Sequence, residues 1–246
     1  MSLRIMKRVT CVCALVAIVA MGQVAMAQST IFNIPTTDTV AKKKVYFEFD
    51  YLVQAPKAPG GDRLHLAVPR GVVGLGPNVE AGANVALVHV GGETNAYFQP
   101  NIKWRFLNNE SNGVAASVGG ILYTPIDDRQ GVDTYGLIYA NLSKKVKHTY
   151  GPRFTVGPYG IAGSSDGFVG PKAGALVGYE QPIHARVSIV ADWLSGKNGF
   201  GYLTPGISIT LPGNGLFNVG YSIGNDSYDG NATRNRLLFF YYGVTF

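Results

Sequence analysis

The sequence predicts an all-β chain: a single closed, antiparallel up-and-down transmembrane β-barrel of about twelve strands. Three observations carry that prediction. Apolar residues make up 46% of the 246 residues and charged residues only 15%, yet beyond the first 27 residues no segment has the ~18 consecutive apolar residues of a membrane helix. The apolar residues are spread in period-two alternation, which gives an extended strand one greasy and one polar face. The chain also stops on an apolar strand, R-L-L-F-F-Y-Y-G-V-T-F from Arg236 to Phe246. Leu238, Phe240, Tyr242, Val244 and Phe246 share one face of it. Such an edge would promote aggregation in water, whereas a closed barrel pairs both edges and turns that face to lipid.

The amino terminus is read first. Arg4, Lys7 and Arg8 precede an apolar run from Val9 to Val24, and Ala25-Met26-Ala27 is a small-x-small site before Gln28. That order is that of a secretory signal peptide, residues 1–27, with cleavage near Ala27. The alternative is an uncleaved anchor, for which the run is short. Cys11 and Cys13 are the only cysteines, so the exported chain has no disulfide or thiolate metal site. Residues 28–43 are Thr-rich and polar with Pro35, and read as a periplasmic tail ahead of the barrel domain, 44–246. The net charge is +6, of which three positive charges belong to the signal peptide. The remainder gives no reason to expect nucleic acid.

Twelve strand candidates follow: 44–53, 66–76, 79–90, 96–107, 113–124, 134–146, 152–163, 171–181, 186–195, 202–211, 215–224 and 235–246. Most have the about ten residues that a tilted strand needs to cross a bilayer. Alternation is clean in five. In 96–107, for example, Phe98, Ile102, Trp104 and Phe106 oppose Tyr97, Gln99, Asn101, Lys103 and Arg105. Strands 113–124 and 134–146 are apolar on both faces, and 66–76 alternates least. Compact turns alternate along the chain with longer, more acidic loops, the asymmetry of an outer-membrane barrel. An even strand count puts both termini on the short-turn side. Ten or fourteen strands fit the same pattern, and a secreted β-sandwich is the competing fold. Pro100, Pro158 and Pro205 fall inside strands, where each removes a ladder donor, so a bulge or local break is expected at each.

With these residues in view, the C-terminal strand resembles the signature of bacterial outer-membrane β-barrel proteins: an alternating apolar strand with a terminal Phe. The resemblance implies a Gram-negative bacterial source and a place in the cell outer membrane. It implies outer-membrane lipids as partners, and the barrel-assembly machinery acting through that strand. It places the chain in no characterised family.

The polar faces carry a charge set of balanced sign: Glu48, Asp50, Glu80, Lys103, Arg105, Arg153, Lys172, Glu180, Arg186 and Asp192. Seven of them, all but Asp50, Lys172 and Asp192, fall in the half of their strand nearest the short turns. Glu180 and Arg186 are expected to face each other across a hairpin. Such residues either form a charged ring that narrows a pore or pair and fill the interior. Inward glycines, Gly82, Gly119, Gly157, Gly174, Gly178, Gly206 and Gly220, are read as room for bulky neighbours or as points of bending. Trp104, Phe106, Tyr179, Trp193, Tyr221 and Phe246 lie near strand ends on the apolar face and suit interfacial girdles. Lys42, Lys43, Lys44, Lys144, Lys145, Lys147 and His148 form a basic rim on the short-turn side, suited to anionic headgroups.

No catalytic residue, metal site or cofactor is predicted. None of His65, His89, His148 and His184 has a serine two residues on or an Asp-x-His pairing, the short-range arrangements of outer-membrane phospholipases and omptin proteases. The function expected is porin-like passive passage of small polar solutes. The alternatives are a structural or interaction barrel with a closed lumen and exposed loops, and an outer-membrane lipid- or peptide-hydrolase.

Overall fold

The computed structural model describes residues 29–55, 63–126, 134–163, 170–226 and 235–246. The expected signal peptide, the cleavage site and much of four long loops lie outside these residues. Alternating side chains form twelve strands, β1 (Val45–Gln54), β2 (His65–Gly74), β3 (Val79–Val90), β4 (Glu93–Asn109), β5 (Val114–Pro125), β6 (Tyr135–Lys145), β7 (Arg153–Gly163), β8 (Ala173–His184), β9 (Val187–Leu194), β10 (Tyr202–Leu211), β11 (Gly215–Gly224) and β12 (Arg236–Thr245). Each pairs antiparallel with its chain neighbour, and β1 closes on β12. The closing seam runs from Tyr46↔Thr245 to Gln54↔Leu237. The twelve-strand prediction therefore holds, and among the described residues there is no helix.

The pleat sorts the two faces. In β1, Val45, Phe47 and Phe49 are exposed on the outside while Tyr46, Glu48, Asp50, Leu52 and Gln54 are buried inside. In β12, Leu237, Phe239 and Tyr241 turn inward and Leu238 and Tyr242 outward. The interior is thus not wholly polar. Leu176, Val190, Leu194, Leu237 and Phe239 are buried within it.

The prolines act on one neighbour only. Pro100, Pro158 and Pro205 stay paired with Ala83, Ala175 and Ala191. On the opposite side the ladder skips the residues around each and resumes in the same register. Local breaks are therefore present and bulges are not, because each missing N–H faces a single partner strand. Pro69 in β2 does the same against β3. The register shifts instead fall between Arg105 and Leu107 and between Pro182 and His184. Between β3 and β4 the longer loop expected is a two-residue turn, with Gly91 and Gly92 at φ 64° and 81°. Positive φ at both central positions matches the twist of the flanking strands.

Residues 29–41 depart most from expectation. They are not a tail outside the barrel but a hairpin inside it. Thr30 bridges Pro35, the Ile31 N–H donates to the Ile34 carbonyl, and the Thr36 N–H donates to the Ser29 carbonyl, both at 3.0 Å. Ile31, Ile34, Thr36 and Thr37 are 0% exposed and Phe32 is 3% exposed. The physical reason is complementarity. The apolar residues Ile31, Phe32, Ile34 and Val40 cover the inward apolar wall, forming one cluster with Leu176, Val190, Leu194, Leu237 and Phe239. Lys43, at φ 66°, turns the chain from the hairpin into β1, and its N–H donates to the Gly74 carbonyl at 2.9 Å.

Candidate functional site: a lumen closed by its own amino-terminal hairpin

Wall residues on four sides hold the hairpin. At the short-turn end Glu80 clamps both legs. Its Oε1 accepts from the Ser29 hydroxyl at 2.6 Å and its Oε2 from the Val40 N–H at 2.6 Å. Lys103, opposite Glu80 in the β3–β4 register, pairs with it at 2.9 Å and donates to the Ser29 carbonyl at 3.2 Å. A buried carboxylate needs such a partner, since an unpaired charge away from water is costly.

A second clamp lies on β7 and β8. Arg153 faces Glu180 across the ladder and binds it through two parallel N–H bonds, at 2.5 and 2.7 Å. Its remaining nitrogen donates to Asp38 of the hairpin. Burial acts to raise the Asp38 carboxyl, but the Arg153 guanidinium beside it prevails and holds it below the ordinary carboxylate value. Midway, Asn141 Nδ2 donates to the Pro35 carbonyl at 2.5 Å, and the Thr37 and Ser143 hydroxyls meet at 2.6 Å.

The tip of the hairpin sits on Asp192. One carboxylate oxygen, Oδ2, accepts the backbone N–H groups of Phe32, Asn33 and Ile34 at 3.0, 2.5 and 2.9 Å. The Asn33 side-chain amide donates to Asp192 Oδ1 at 3.3 Å and to the Thr204 hydroxyl at 2.8 Å. Glycines make the space. A Cβ on Gly220 would lie 2.7 Å from the Phe32 ring, and one on Gly178 would lie 2.7 Å from both Ile31 and Ile34. The inward glycines do admit bulky neighbours, but these are hairpin residues together with Tyr139 at Gly119 and Tyr159 at Gly174.

Most of the charge set is found where the alternation puts it. Glu48, Asp50, Glu80, Lys103 and Asp192 are buried in the lumen. Glu180 and Arg153 form the clamp above, and Arg105 lies at the short-turn rim, donating to Asn78 Oδ1 at 3.0 Å. Two residues do not belong. Arg186 is exposed in the β8–β9 turn and does not oppose Glu180, which pairs with Val190. β8 runs on to His184, and the register shift there moves the turn towards the C-terminus. Lys172 precedes β8 and is exposed. Sequence reasoning missed Arg70, which pairs with Glu48 at 2.7 Å and also donates to Asn84 at 3.0 Å and to Thr30 of the hairpin at 3.2 Å. The position of Arg70 on the inward face of β2 was its signal, hidden by that strand's weak alternation.

Trp104, Phe106, Trp193 and Phe246 are exposed, with Tyr179 and Tyr221 half-buried beside them. Trp104, Phe106, Tyr179 and Phe246 lie towards the short-turn end, and Trp193 and Tyr221 towards the long loops. The basic rim, Lys42 to Lys44 with Lys144, Lys145, Lys147 and His148, is exposed on the short-turn side. His65 and His89 are cross-strand neighbours on the outer face, and His184 ends β8 in an exposed position. Among the described residues no three metal-ligating side chains cluster.

A closed antiparallel barrel with a greasy exterior and a charged, hydrogen-bonded interior defines an outer-membrane β-barrel protein. The crystal structure of an outer-membrane channel from Pseudomonas putida F1 is similar to this chain, at 12% identity and a TM-score of 0.52, covering 85% of this chain and 96% of that one. A loop-deletion form of OmpT, an outer-membrane protein of Vibrio cholerae, is 8% identical with a TM-score of 0.37, covering 82% and 98%. No protein-family model and no curated protein matches the chain.

Proposed function

We propose that this protein is an outer-membrane channel for small polar solutes, closed at rest by residues 29–41 and conducting when that hairpin moves. The observation that carries this reading is the chemistry of the wall behind the hairpin. Ser117 Oγ, Asn141 Oδ1, Thr155 Oγ1 and Asn218 Oδ1 are buried and accept or donate no hydrogen bond within the protein. Each such group costs about 1–3 kcal/mol in a dry interior. A permanently packed core favours apolar side chains there, whereas a lumen that becomes wet makes full use of hydroxyls and amides. The rival reading, a permanently closed interaction barrel, draws on the tight burial of Ile31 and Ile34.

A reversible lock separates the two. The Thr37 and Ser143 hydroxyls are 2.6 Å apart, so T37C with S143C places two thiols side by side, and removal of the signal peptide removes the chain's own cysteines. In planar bilayers the reduced protein is expected to show conductance steps that oxidation abolishes. Equal conductance in both states would remove the hairpin from the gate, and no conductance in the reduced protein would defeat the channel reading.

A further inference from the structure

We infer that Asp192 and Thr204 form a recognition site for a solute carrying an N–H-rich cation, an ammonium or guanidinium group, and that the hairpin tip occupies it as an internal stand-in. This rests on the channel reading above. Among the described residues, the other inward carboxylates have cationic partners on the wall. Arg70 pairs with Glu48 at 2.7 Å and lies 4.0 Å from Asp50, Lys103 pairs with Glu80 at 2.9 Å, and Arg153 pairs with Glu180 at 2.5 Å. Asp192 is compensated differently, by four amide N–H donors that the hairpin brings to it. The arrangement mimics a polydentate donor: three N–H groups converge on one oxygen, and the Asn33 amide spans the other oxygen and the Thr204 hydroxyl.

The site is built on rigid strands. Asp192 and Thr204 are register partners across β9 and β10, and Thr204 is fixed in turn by the Ser222 hydroxyl at 2.8 Å. Asp192 is 1% and Thr204 0% exposed, so the hairpin excludes water from both. When the hairpin leaves, all four donors leave together. The carboxylate then faces the lumen in the half nearest the long loops, with a hydroxyl beside it. A guanidinium or ammonium replaces the lost donors with charge-assisted hydrogen bonds, which are stronger than the neutral ones they succeed. Such a solute therefore competes with the tip, and its arrival favours the open state.

The test uses agmatine, a small molecule with one guanidinium and one ammonium, on the refolded full barrel with its hairpin in planar bilayers. Agmatine is expected to raise the open fraction, and the open state is expected to prefer cations in a salt-gradient reversal potential. D192N should lose the cation preference and need roughly 10- to 100-fold more agmatine for the same response, the loss of one charge-assisted bond. D192E should keep the preference. Agmatine responses and reversal potentials that are the same in D192N and the parent would overturn the inference and leave the channel standing. A parent and a D192N protein that both fold and never conduct would instead remove the channel reading itself.

Discussion

Replacing Gly220 by Ala tests the hairpin by steric pressure alone. The new Cβ would lie 2.7 Å from Phe32 Cζ, 2.9 Å from Cε1 and 3.0 Å from Thr204 Cγ2, with no backbone atom among its three nearest neighbours. Carbon atoms pack at about 3.5–4.0 Å, so the ring must withdraw by about 1 Å. Overpacking of this kind costs about 1–3 kcal/mol. Most of the cost falls on the closed state, because the two nearest atoms belong to the Phe32 ring; the Thr204 methyl, on the wall beside it, must give by a few tenths of an ångström in both states. For the barrel itself that Thr204 contact is offset by the restriction Ala places on the unfolded chain, about 0.4–1 kcal/mol where the backbone allows it. The open-to-closed ratio should therefore rise about 5- to 150-fold. Open fraction in planar bilayers measures it, and heat-modified gel mobility reports whether the barrel is intact. An intact G220A barrel whose open fraction equals the parent's would refute the steric argument. Gly206 makes a poorer test, since its Cβ would also collide with the β11 backbone at Val219.

Other outcomes follow from the same contacts. Lys103→Met leaves Glu80 buried without its cation, at a cost of about 3–5 kcal/mol, and should lower the urea midpoint of the refolded barrel. Reversing Lys172 or Arg186, both exposed outside the lumen, should leave ion preference unchanged, whereas Lys103→Glu should shift it in the same reversal-potential assay. The Asp38–Arg153 contact holds the Asp38 carboxyl below its ordinary value of 3.8. Its stabilisation is thus complete above that pH and fades as the pH falls through the lower folded value. Conductance should rise below pH 3.8 in the parent, and that added rise should be absent in Asp38→Asn. Removing Phe246, 67% exposed at the end of the closing strand, should slow assembly into native-lipid vesicles containing the assembly machinery. Equal assembly rates would separate the terminal aromatic from that recognition.

The strands were legible because their signal is local. Side-chain direction has period two, so Phe98, Ile102 and Trp104 announce their face without knowledge of any partner. The sequence alone therefore determined the closed-barrel class, a count of about twelve strands with ten and fourteen still open, the apolar outward face and the inward place of Glu48, Glu80, Lys103 and Asp192. Turn centres were less secure, and the β8–β9 bulge moved Arg186 out of the lumen. The hairpin was decided only by tertiary structure. Ile31-Phe32-Asn33-Ile34 reads as an ordinary leader segment, because the groups that bury it are on β8 to β12, about 160 residues away for Asp192. Its one trace was indirect: inward apolar residues such as Leu194, Leu237 and Phe239, which a water-filled lumen has no reason to hold. Alternation fixes which way each side chain points. What it meets there depends on closure of the whole cylinder, and no short stretch of sequence encodes that.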